Sequence, residues 1–454
     1  MDDWRKRDRK VLWHPFTQHE LWDQEDFPVI VSGQGCWLVD AEGRRYLDGV
    51  ASLWLSVHGH NRPEINAAIE AQLHQIAHST FLGLSHPPGI ELAERLLSIV
   101  PPGLSRVFFS DNGSTAVEAA LKMAFQYWAQ KSPATAGRQT FISFTNAYHG
   151  DTVGSVSLGG IAQFHAVYRP LLFPVIQVPA PYCYRCPLKL EPAECDRGKL
   201  ACLKALQEAL EARGPEVAGV VIEPLIQGAA GMLTQPAGFL RGVRELCDRY
   251  GTLMIADEVA TGFGRTGAMF ACEQEQVSPD LLCLGKGLTG GYLPLAATLA
   301  TEEIFSAFLG PQHSERTFFH GHSYTANPLA CAAAKASLEL FEKDQTLMNV
   351  RVRAKQLEAG LAEIQALPHV GDARQKGLMA GIELVRDKLT REPFAPGAMT
   401  GRQVILAARE RGVILRPLGD VIVLMPPLCI SGEEMELLLQ VVSESILEVL
   451  SESV

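Results

Sequence analysis

Short apolar runs alternate with helical stretches from about residue 60 to residue 340, and this alternation constrains the fold more than any other feature of the chain. The runs are rich in Val, Ile, Leu and Phe and are followed by polar or glycine-containing loops. The clearest lie at residues 106–110, 141–144, 219–223, 252–256 and 281–284. Strands buried on both faces of a parallel sheet have this composition. The pattern therefore predicts an α/β fold with a large, mostly parallel sheet domain flanked by helices.

One helix is clearly predicted by the letters SDNGSTAVEAALKMAFQYWAQ, whose first residue, Ser110, is also the last residue of the strand at 106–110. Apolar residues recur there at helical spacing and predict one buried face, formed by Val117, Ala120, Leu121, Ala124, Phe125 and Trp128. Asp111, Asn112 and Ser114 supply N-cap side chains at the start of the helix. The segment predicts a strand, a turn and a helix in direct succession.

The last hundred or so residues have a different pattern. They contain, in order, a helical pattern at 347–367, strand patterns at 378–385, 412–416 and 421–424, and a helical pattern at 435–450. This order predicts a smaller α+β domain at residues 341–454, next to a large domain at 61–340. Residues 1–60, which include the letters WHPFT and a WLVDAEGRRYLDG hairpin, are expected to dock on the small domain.

Composition excludes several classes of function. The chain has 454 residues, 47% of them hydrophobic and 20% charged, which is typical of a globular protein with a large core. It has no run of about 18 apolar residues that would span a membrane, and its charged start lacks the apolar region of a secretory signal. A net charge of −11 argues against nucleic acid as a partner. We expect a cytoplasmic protein whose ten cysteines are reduced thiols.

Two candidate binding groups follow predicted strands. Gly113 and Ser114 open the marked helix, where unpaired backbone N–H groups can bind an anion such as a phosphate; an ordinary capped helix is the alternative. Asp257 lies at the carboxyl end of the strand in LMIADEVATGFGRTG, where open parallel sheets bind ligands. A carboxylate there can hold a pyridine nitrogen protonated. The alternative is an Asp257–Glu258 pair that caps the next segment.

Two more candidates complete the set. Lys286, in LLCLGKGLTGG, follows an apolar strand and lies between glycines, which leave room for an aldehyde to approach the amine. Its alternative is a surface lysine in a glycine-rich loop. Tyr148, in NAYHGD, could stack on an aromatic ring, whereas its neighbour His149 could equally be a hydrogen-bonded loop histidine. A phosphate site, a ring stacker, a pyridine partner and an amine together indicate pyridoxal phosphate as the cofactor.

A fifth candidate concerns the substrate. Arg416, in GVILRPLGD, is predicted in the small domain, and a guanidinium there suits a substrate carboxylate. An exposed arginine at a strand end is the alternative.

Three motifs resemble other kinds of site. The letters GFGRTG match a dinucleotide-binding fingerprint, but the required strand–turn–helix context is missing, so a nicotinamide cofactor is not predicted. A cysteine cluster could hold zinc or an iron–sulfur centre, but only its first pair has CxxC spacing; it consists of Cys183, Cys186, Cys195 and Cys202. The pairs His58/His60 and His320/His322 match no metal-binding frame. We assign no metal.

The whole set of motifs resembles the class III aminotransferases of pyridoxal-phosphate fold type I. The resemblance covers nearly the whole chain and rests on SDNGSTAVEAALKMA, NAYHGD, VIEPLIQG, LMIADEVATGFGRTG, LGKGLTGG and GHSYTANPLACAAA. It implies that Lys286 carries the cofactor, Asp257 contacts the ring nitrogen and Tyr148 stacks on the ring. It further implies that Gly113 and Ser114 bind the phosphate, and that Arg416 binds a keto-acid carboxylate.

The resemblance also implies a homodimer with shared active sites, in which residues 321–323 reach the neighbouring subunit. These residues are Gly321, His322 and Ser323, which would meet the neighbour's phosphate and substrate. Within the class, WHPFTQ, SLWLSVHGHN and RPLGDVIVLMPPL are similar to the biotin-pathway members, which aminate 7-keto-8-aminopelargonate. Small-molecule substrates are therefore expected, with no nucleic acid and no membrane as partner.

Three segments depart from the biotin-pathway members that use S-adenosylmethionine as amino donor. Those members have tyrosine where this chain has Phe16, two tryptophans where it has Leu53 and Trp54, and GPT at positions 321–323. A subset that uses lysine resembles this chain more closely at these points. The donor is therefore either S-adenosylmethionine or lysine. The alternative functions are another ω-amino acid or diamine aminotransferase, and a catalytically idle binding protein of the same fold.

Overall fold

The computed structural model describes residues 3–190 and 200–451. Its strands are β1 Ile30–Gln34, β2 Trp37–Asp40, β3 Arg45–Asp48, β4 Leu104–Ser110, β5 Thr140–Phe144, β6 Ile176–Val178, β7 Val217–Ile222, β8 Ile226–Gln227, β9 Leu233–Thr234, β10 Leu253–Asp257, β11 Leu281–Leu284, β12 Ala296–Thr301, β13 Val370–Lys376, β14 Met379–Leu384, β15 Val413–Ile414, β16 Arg416–Leu418 and β17 Val421–Leu424.

The helices enclose these strands. Within the described residues they are α1 Trp4–Val11, α2 His19–Gln24, α3 Ala51–Trp54, α4 Pro63–Leu73, α5 Pro87–Leu97, α6 Gly113–Lys131, α7 Val153–Leu158, α8 Ala162–His165, α9 Lys204–Arg213, α10 Phe239–Tyr250, α11 Glu302–Ala307, α12 Pro328–Lys343, α13 Thr346–Gln365, α14 Thr400–Glu410 and α15 Gly432–Ser451. None of them is both long and apolar enough to cross a membrane.

A seven-stranded sheet forms the centre of the molecule, in the order β4-β12-β11-β10-β7-β5-β6. Strands β11, β10, β7, β5 and β6 pair in parallel, whereas β12 is antiparallel to both of its neighbours. The predicted α/β fold with a mostly parallel sheet is therefore confirmed. The five strands predicted from apolar runs are β4, β5, β7, β10 and β11, each within two residues of the predicted bounds.

Two strands of this sheet are missing from the sequence prediction. Strand β12 reads AATLAT and β6 reads IQV, so neither shows the long run of large apolar residues that marked the others. Strand β12 is nevertheless buried along nearly its whole length, because its small side chains fit under α6. The prediction was also wrong for Phe125, which is 43% exposed on the outer face of α6.

Two four-stranded sheets lie outside the central sheet. One has the order β13-β14-β17-β16 and is antiparallel throughout. The other has the order β1-β2-β3-β15, and it contains the predicted hairpin of β2 and β3. The single strand predicted at 412–416 is split, because β15 pairs with β3 whereas β16 pairs with β17. The chain therefore changes sheets at Leu415, directly before Arg416.

Candidate active site

The carboxyl ends of the parallel strands β7, β10 and β11 open onto a cavity of about 430 Å³. Ligands of open α/β sheets bind at this edge. Six of the residues predicted from the sequence line the cavity, although they come from distant parts of the chain. They are Trp54, Gly113, Ser114, Tyr148, Asp257 and Lys286.

The N-terminus of α6 forms one end of the cavity. Asn112 is the N-cap residue, because its side-chain oxygen accepts a hydrogen bond of 3.1 Å from the backbone N–H of Thr115. In return, Thr115 Oγ1 accepts one of 3.1 Å from the N–H of Asn112. The N–H groups of Gly113 and Ser114 come next, at positions that have no acceptor within a helix. This end of the cavity can therefore bind an anion.

The loop after β5 is packed against the same helix end. The hydroxyl oxygen of Ser114 accepts a hydrogen bond of 3.2 Å from the backbone N–H of Asp151. Gly150 has a φ of +119°, and a Cβ at this position would lie 2.0 Å from Ser114 Oγ. On the other side, a Cβ on Gly113 would lie 2.5 Å from Val259 Cγ1. Glycine at both positions lets the three segments approach closely around the anion-binding end.

Tyr148 lies on that loop, and neighbouring residues fix the position of its ring. Its hydroxyl donates a hydrogen bond of 2.7 Å to Asp151, and its backbone N–H donates one of 3.1 Å to Glu223. The ring stacks with the ring of His165, at 6.3 Å between centroids and 12° between planes. Burial, reinforced by the carboxylate of Asp151, raises the pKa of Tyr148 and keeps the phenol neutral. The ring provides a flat surface on which a planar ligand can stack.

Asp257, the last residue of β10, is paired with His149. The imidazole Nδ1 lies 2.7 Å from Asp257 Oδ2, and the side chain of His149 has no exposed surface. The other nitrogen, Nε2, has no hydrogen-bond partner among the described residues. Burial favours the neutral imidazole, but the hydrogen bond and charge of Asp257 more than offset it and raise the pKa of His149. His149 is therefore not an ordinary loop histidine but the partner of a cavity carboxylate.

The neighbouring Glu258 points away from the cavity. Its carboxylate accepts hydrogen bonds from the backbone N–H groups of Ala271, at 2.6 Å, and Cys272, at 2.8 Å. It is fully buried, and burial raises its pKa to about 7. Of the two adjacent acidic residues, only Asp257 is available to a ligand.

Lys286 follows β11 and begins a short 3₁₀ turn. Its φ of +41° lies in the left-handed region, a strained conformation that proteins tolerate mainly at functional sites. Its Nζ lies 5.2 Å from the centre of the Trp54 ring. Burial lowers the pKa of Lys286, against the opposing effect of Asp257 and Glu223. A lowered pKa increases the neutral fraction of the amine, which is the nucleophilic form.

Glu223 also lines the cavity, and the sequence prediction assigned it no role. It follows β7 just as Asp257 ends β10, so the same strand-end rule would have found it. Its oxygens accept hydrogen bonds from the backbone N–H groups of Tyr148, at 3.1 Å, and Gly228, at 3.0 Å. Burial raises the pKa of Glu223 to about 7. Among the described residues Glu223 forms no ion pair, although the charges of His149 and Lys286 act on it electrostatically.

Arg416 begins β16, outside the lining of the cavity. Its side chain forms no hydrogen bond or ion pair with any residue that the structure describes. Burial lowers the pKa of its guanidinium, and an electrostatic interaction with Tyr148 opposes that shift. An unpaired, partly buried guanidinium near Tyr148 is available to an anionic ligand.

Phe16 and Leu53 lie at the solvent side and do not line the cavity. Phe16 is 57% exposed, and its ring meets the edge of Phe164 at 5.5 Å between centroids. Phe164 in turn meets the ring of Tyr148 at 6.4 Å. Leu53 is 45% exposed, whereas the adjacent Trp54 is buried in an apolar cluster beside the cavity.

Residues 321–323 also lie outside the cavity lining. Gly321 and Ser323 are exposed, and His322 is half-buried. The imidazole Nδ1 of His322 lies 3.6 Å from Asp111 Oδ2, beside the N-terminus of α6. The segment therefore lies next to the anion-binding end of its own chain, on an exposed surface.

The other motifs stay apart from this site. The letters GFGRTG form turns in which Gly264 and Gly267 have φ values of +83° and +104°, without the strand–turn–helix order of a nucleotide site. Cys183, Cys186 and Cys202 are half-buried, and Cys195 lies outside the described residues. Residues 3–190 and 200–451 contain no group of three or more His, Cys, Asp or Glu residues placed to hold a metal ion.

Comparison with known proteins gives a consistent result. The family model described as aminotransferase class-III matches residues 21–446. A protein of Geobacter sulfurreducens named adenosylmethionine-8-amino-7-oxononanoate aminotransferase is 56% identical over 98% of this chain and 96% of its own length. A protein of Aquifex aeolicus with the same name is 52% identical over 98% of this chain and 97% of its own length.

Solved structures of transaminases are also similar to this chain over nearly its whole length. The crystal structure of the enzyme of that name from Methanocaldococcus jannaschii is 44% identical, has a TM-score of 0.92 and covers 98% of both chains. An amine transaminase from an uncultivated Pseudomonas species, solved in its PLP-bound form, is 38% identical with a TM-score of 0.90, over 96% of this chain and 98% of that one.

Proposed function

This chain belongs to the class III aminotransferases, and we propose that it converts 8-amino-7-oxononanoate (7-keto-8-aminopelargonate) to 7,8-diaminopelargonate in biotin biosynthesis. It is a pyridoxal-phosphate-dependent enzyme that transfers an amino group from a donor to a ketone. The observation that carries the proposal is that Lys286, Asp257 and the N-terminus of α6 meet at one cavity. The chain is also 52–56% identical, over nearly its full length, to two proteins named adenosylmethionine-8-amino-7-oxononanoate aminotransferase.

The residues around the cavity fit pyridoxal phosphate. Gly113 and Ser114 would hold the phosphate with the unpaired N–H groups at the start of α6, where the lack of a Cβ on Gly113 lets Val259 pack closely. Asp257 would face the ring nitrogen, since its contact of 2.7 Å with His149 holds the carboxylate at the cavity. Tyr148 would stack on the ring, and Lys286 would bind the cofactor covalently. The cofactor, when bound, supplies an aldehyde that reacts with amines and a ring that withdraws electrons from the substrate carbon.

The side chain of Lys286 has a second role in the proposed reaction. When it is not bound to the cofactor, its Nζ would be a free amine enclosed beside Trp54. An amine with a lowered pKa can take a proton from the substrate carbon near neutral pH and return it later. Asp257 would stay beside the ring nitrogen throughout, because its contact with the buried His149 fixes the position of its carboxylate.

Arg416 would bind the substrate carboxylate. The substrate is a keto acid, so its carboxylate needs a cation at a distance from the ketone that reacts. The unpaired guanidinium of Arg416 lies near Tyr148 but outside the cavity lining, as such an anchor requires. A planar guanidinium can donate two parallel hydrogen bonds to a carboxylate and so orient the chain of the substrate.

S-adenosylmethionine is our first candidate for the amino donor, since the names of the relatives include it. Lysine is the second candidate, favoured by Phe16 and Leu53. Phe16 presents an aromatic ring without a hydroxyl next to Phe164, which in turn contacts Tyr148, and the exposed Leu53 presents no indole. Compared with members that have tyrosine and tryptophan at these two positions, the absence of the hydroxyl and the indole would change which donor amine the site accepts.

A homodimer is proposed from the placement of residues 321–323. They are an exposed segment beside the anion-binding end, flanked by Phe319 and Tyr324, which are 80% and 63% exposed. A second copy of the chain would cover these apolar side chains. Gly321, His322 and Ser323 of one subunit would then reach the phosphate and substrate bound in the other.

We also propose that residues 1–60 dock on a small domain at 341–454 beside a large domain at 61–340, which the pairing of β3 with β15 supports. A cytoplasmic location is proposed for the enzyme.

The function is tested by incubating purified holoenzyme with 8-amino-7-oxononanoate and each donor separately. We expect 7,8-diaminopelargonate, identified by mass spectrometry, with S-adenosylmethionine, with lysine or with both. Turnover with S-adenosylmethionine but none with lysine would exclude lysine as donor. Absence of product with either donor, from a protein that has bound pyridoxal phosphate, would contradict the proposed substrate. A screen of diamines and ω-amino acids would then test the alternative.

A further inference from the structure

The proposed substrate carries an ammonium group that neither Arg416 nor the cofactor-binding residues would bind. Its amino group on C8 is next to C7, the ketone carbon that receives the new nitrogen. The C7 atom must come within reach of Lys286, so the ammonium on C8 must lie within a few ångströms of the same point. A buried ammonium needs an acceptor, and an anionic acceptor stabilises it most.

Three acidic residues among those described line the cavity: Asp111, Glu223 and Asp257. Asp257 is paired with His149 at 2.7 Å, on the side assigned to the ring nitrogen. Asp111 lies at the anion-binding end, 3.6 Å from His322. An ammonium at Asp111 would therefore be beside the phosphate and not beside the ketone. Glu223 is the acidic group that remains.

The geometry of Glu223 suits this role. Each carboxylate oxygen accepts one backbone N–H, from Tyr148 at 3.1 Å and from Gly228 at 3.0 Å. These two bonds hold the carboxylate in one orientation. A carboxylate has about four lone-pair sites, so about two remain for a ligand. The side chain is 6% exposed, and it acts electrostatically on the amine of Lys286.

We infer that Glu223 is the specificity residue that binds the C8 ammonium of the substrate and thereby distinguishes this amino ketone from ketones without the neighbouring amine. The inference rests on the proposed function. Its energetic basis is that Glu223 is buried without an ion pair to any described residue, and burial raises the pKa of the carboxyl to about 7. A substrate ammonium would supply the missing charge, so the amino ketone would be favoured and the plain ketone would leave the carboxylate unpaired.

The test compares two ketones in the holoenzyme: 8-amino-7-oxononanoate and 7-oxononanoate, which lacks the amine. Glu223→Gln removes the charge at nearly constant volume. We expect kcat/KM for the amino ketone to fall about tenfold or more, mainly through KM, since a hydrogen bond between charged groups is lost. The value for 7-oxononanoate, measured as substrate or as competitive inhibitor, should change little. The dissociation constant of pyridoxal phosphate, measured by equilibrium dialysis, should be unchanged.

Two further variants keep the test decisive. Glu223→Asp retains the charge and should keep part of the preference for the amino ketone. Glu258→Gln alters a carboxyl that is equally buried and has a pKa raised to the same value of about 7, but that lies outside the cavity; it should leave the ratio of the two ketones unchanged. An equal loss of kcat/KM for both ketones in E223Q would assign Glu223 a structural role and overturn the inference. A value of kcat/KM that changes for neither ketone would also overturn it. A wild-type enzyme that aminates neither ketone would instead refute the proposed function, and this inference with it.

Discussion

The imidazole Nδ1 of His149 lies 2.7 Å from Oδ2 of Asp257, and both side chains are buried beneath the cavity. The two residues are 108 positions apart, one on the loop after β5 and one at the end of β10. Because a buried carboxylate without a partner is costly, the contact with His149 compensates for the burial of Asp257 at this depth. The orientation of the Asp257 carboxylate at the cavity is thus fixed by a residue from a distant part of the chain.

Replacement of His149 should destabilise the protein even without cofactor. His149→Phe leaves Asp257 buried without its partner, which should lower the free energy of unfolding of the apoprotein by about 3–5 kcal/mol. Urea titration followed by circular dichroism measures this loss. His165→Phe is the matched control, because His165 is 5% exposed but neither ring nitrogen has a hydrogen-bond partner among the described residues. Equal losses in the two variants would show that the pair with Asp257 contributes nothing.

Glu223 should give the apoprotein a recognisable pH dependence. Its pKa in the folded protein is about 7, above the ordinary value of 4.5, so the folded protein keeps a proton that the unfolded chain releases. The free energy of unfolding should therefore fall as pH rises between these two values, by at most about 1.4 kcal/mol per pH unit from this group. Glu223→Gln should flatten the curve in this range. Glu258, with a similar shift, should maintain the rest of the slope. A wild-type curve reproduced unchanged in E223Q would contradict the raised pKa.

Lys286 should be the point of covalent attachment for pyridoxal phosphate. Treatment with borohydride fixes the bound cofactor, and intact-mass spectrometry should then show one added cofactor per wild-type chain. Lys286→Ala should show none, because no other lysine among the described residues lines the cavity. Lys204→Ala, which changes an exposed lysine whose side chain is 77% accessible, should behave as wild type. A fixed cofactor in the K286A protein would move the attachment to another residue.

Arg416 should affect binding of the keto acid more than turnover. Arg416→Ala removes the charge-assisted hydrogen bonds to the substrate carboxylate, and KM for 8-amino-7-oxononanoate should rise by about 10- to 100-fold with a smaller change in kcat. Steady-state kinetics at a saturating donor concentration measure the two values. Arg411→Ala alters an arginine that is ion-paired to Glu448 on the surface and should leave both unchanged. An effect on kcat alone would argue that Arg416 does not anchor the carboxylate.

Gly150 should be essential for the phosphate end of the site. Alanine there would have to adopt a φ of +119° with its Cβ 2.0 Å from Ser114 Oγ, so the loop and the start of α6 must separate. Gly150→Ala should weaken binding of pyridoxal phosphate by at least about tenfold, since the strain exceeds roughly 1–3 kcal/mol. Equilibrium dialysis gives the dissociation constant. Gly137→Ala is the control, because a Cβ at that position meets no atom within 4 Å.

Much of this fold is encoded in local patterns. Five strands of the central sheet and the helix α6 could be predicted, because buried strands need continuous apolar runs and helices need apolar residues at their own spacing. Strand β12 was missed because it is built from Ala and Thr, whose small size matters only where α6 packs over them. Phe125 was misplaced for a related reason. Its position on the helix suits either face, and the packing around α6 leaves it exposed.

The sequence by itself determined which residues end their strands at the ligand-binding edge of the sheet, and so identified Asp257 and Lys286 as candidates. Tertiary structure alone decided the partners. It paired His149 with Asp257, held Glu223 by the backbone of Tyr148 over a separation of 75 residues, and kept residues 321–323 outside the cavity. Local patterns report how each segment folds, because they depend on neighbours in the chain. Charge pairing and burial depend on neighbours in space, and these are set only when the sheet and its loops come together.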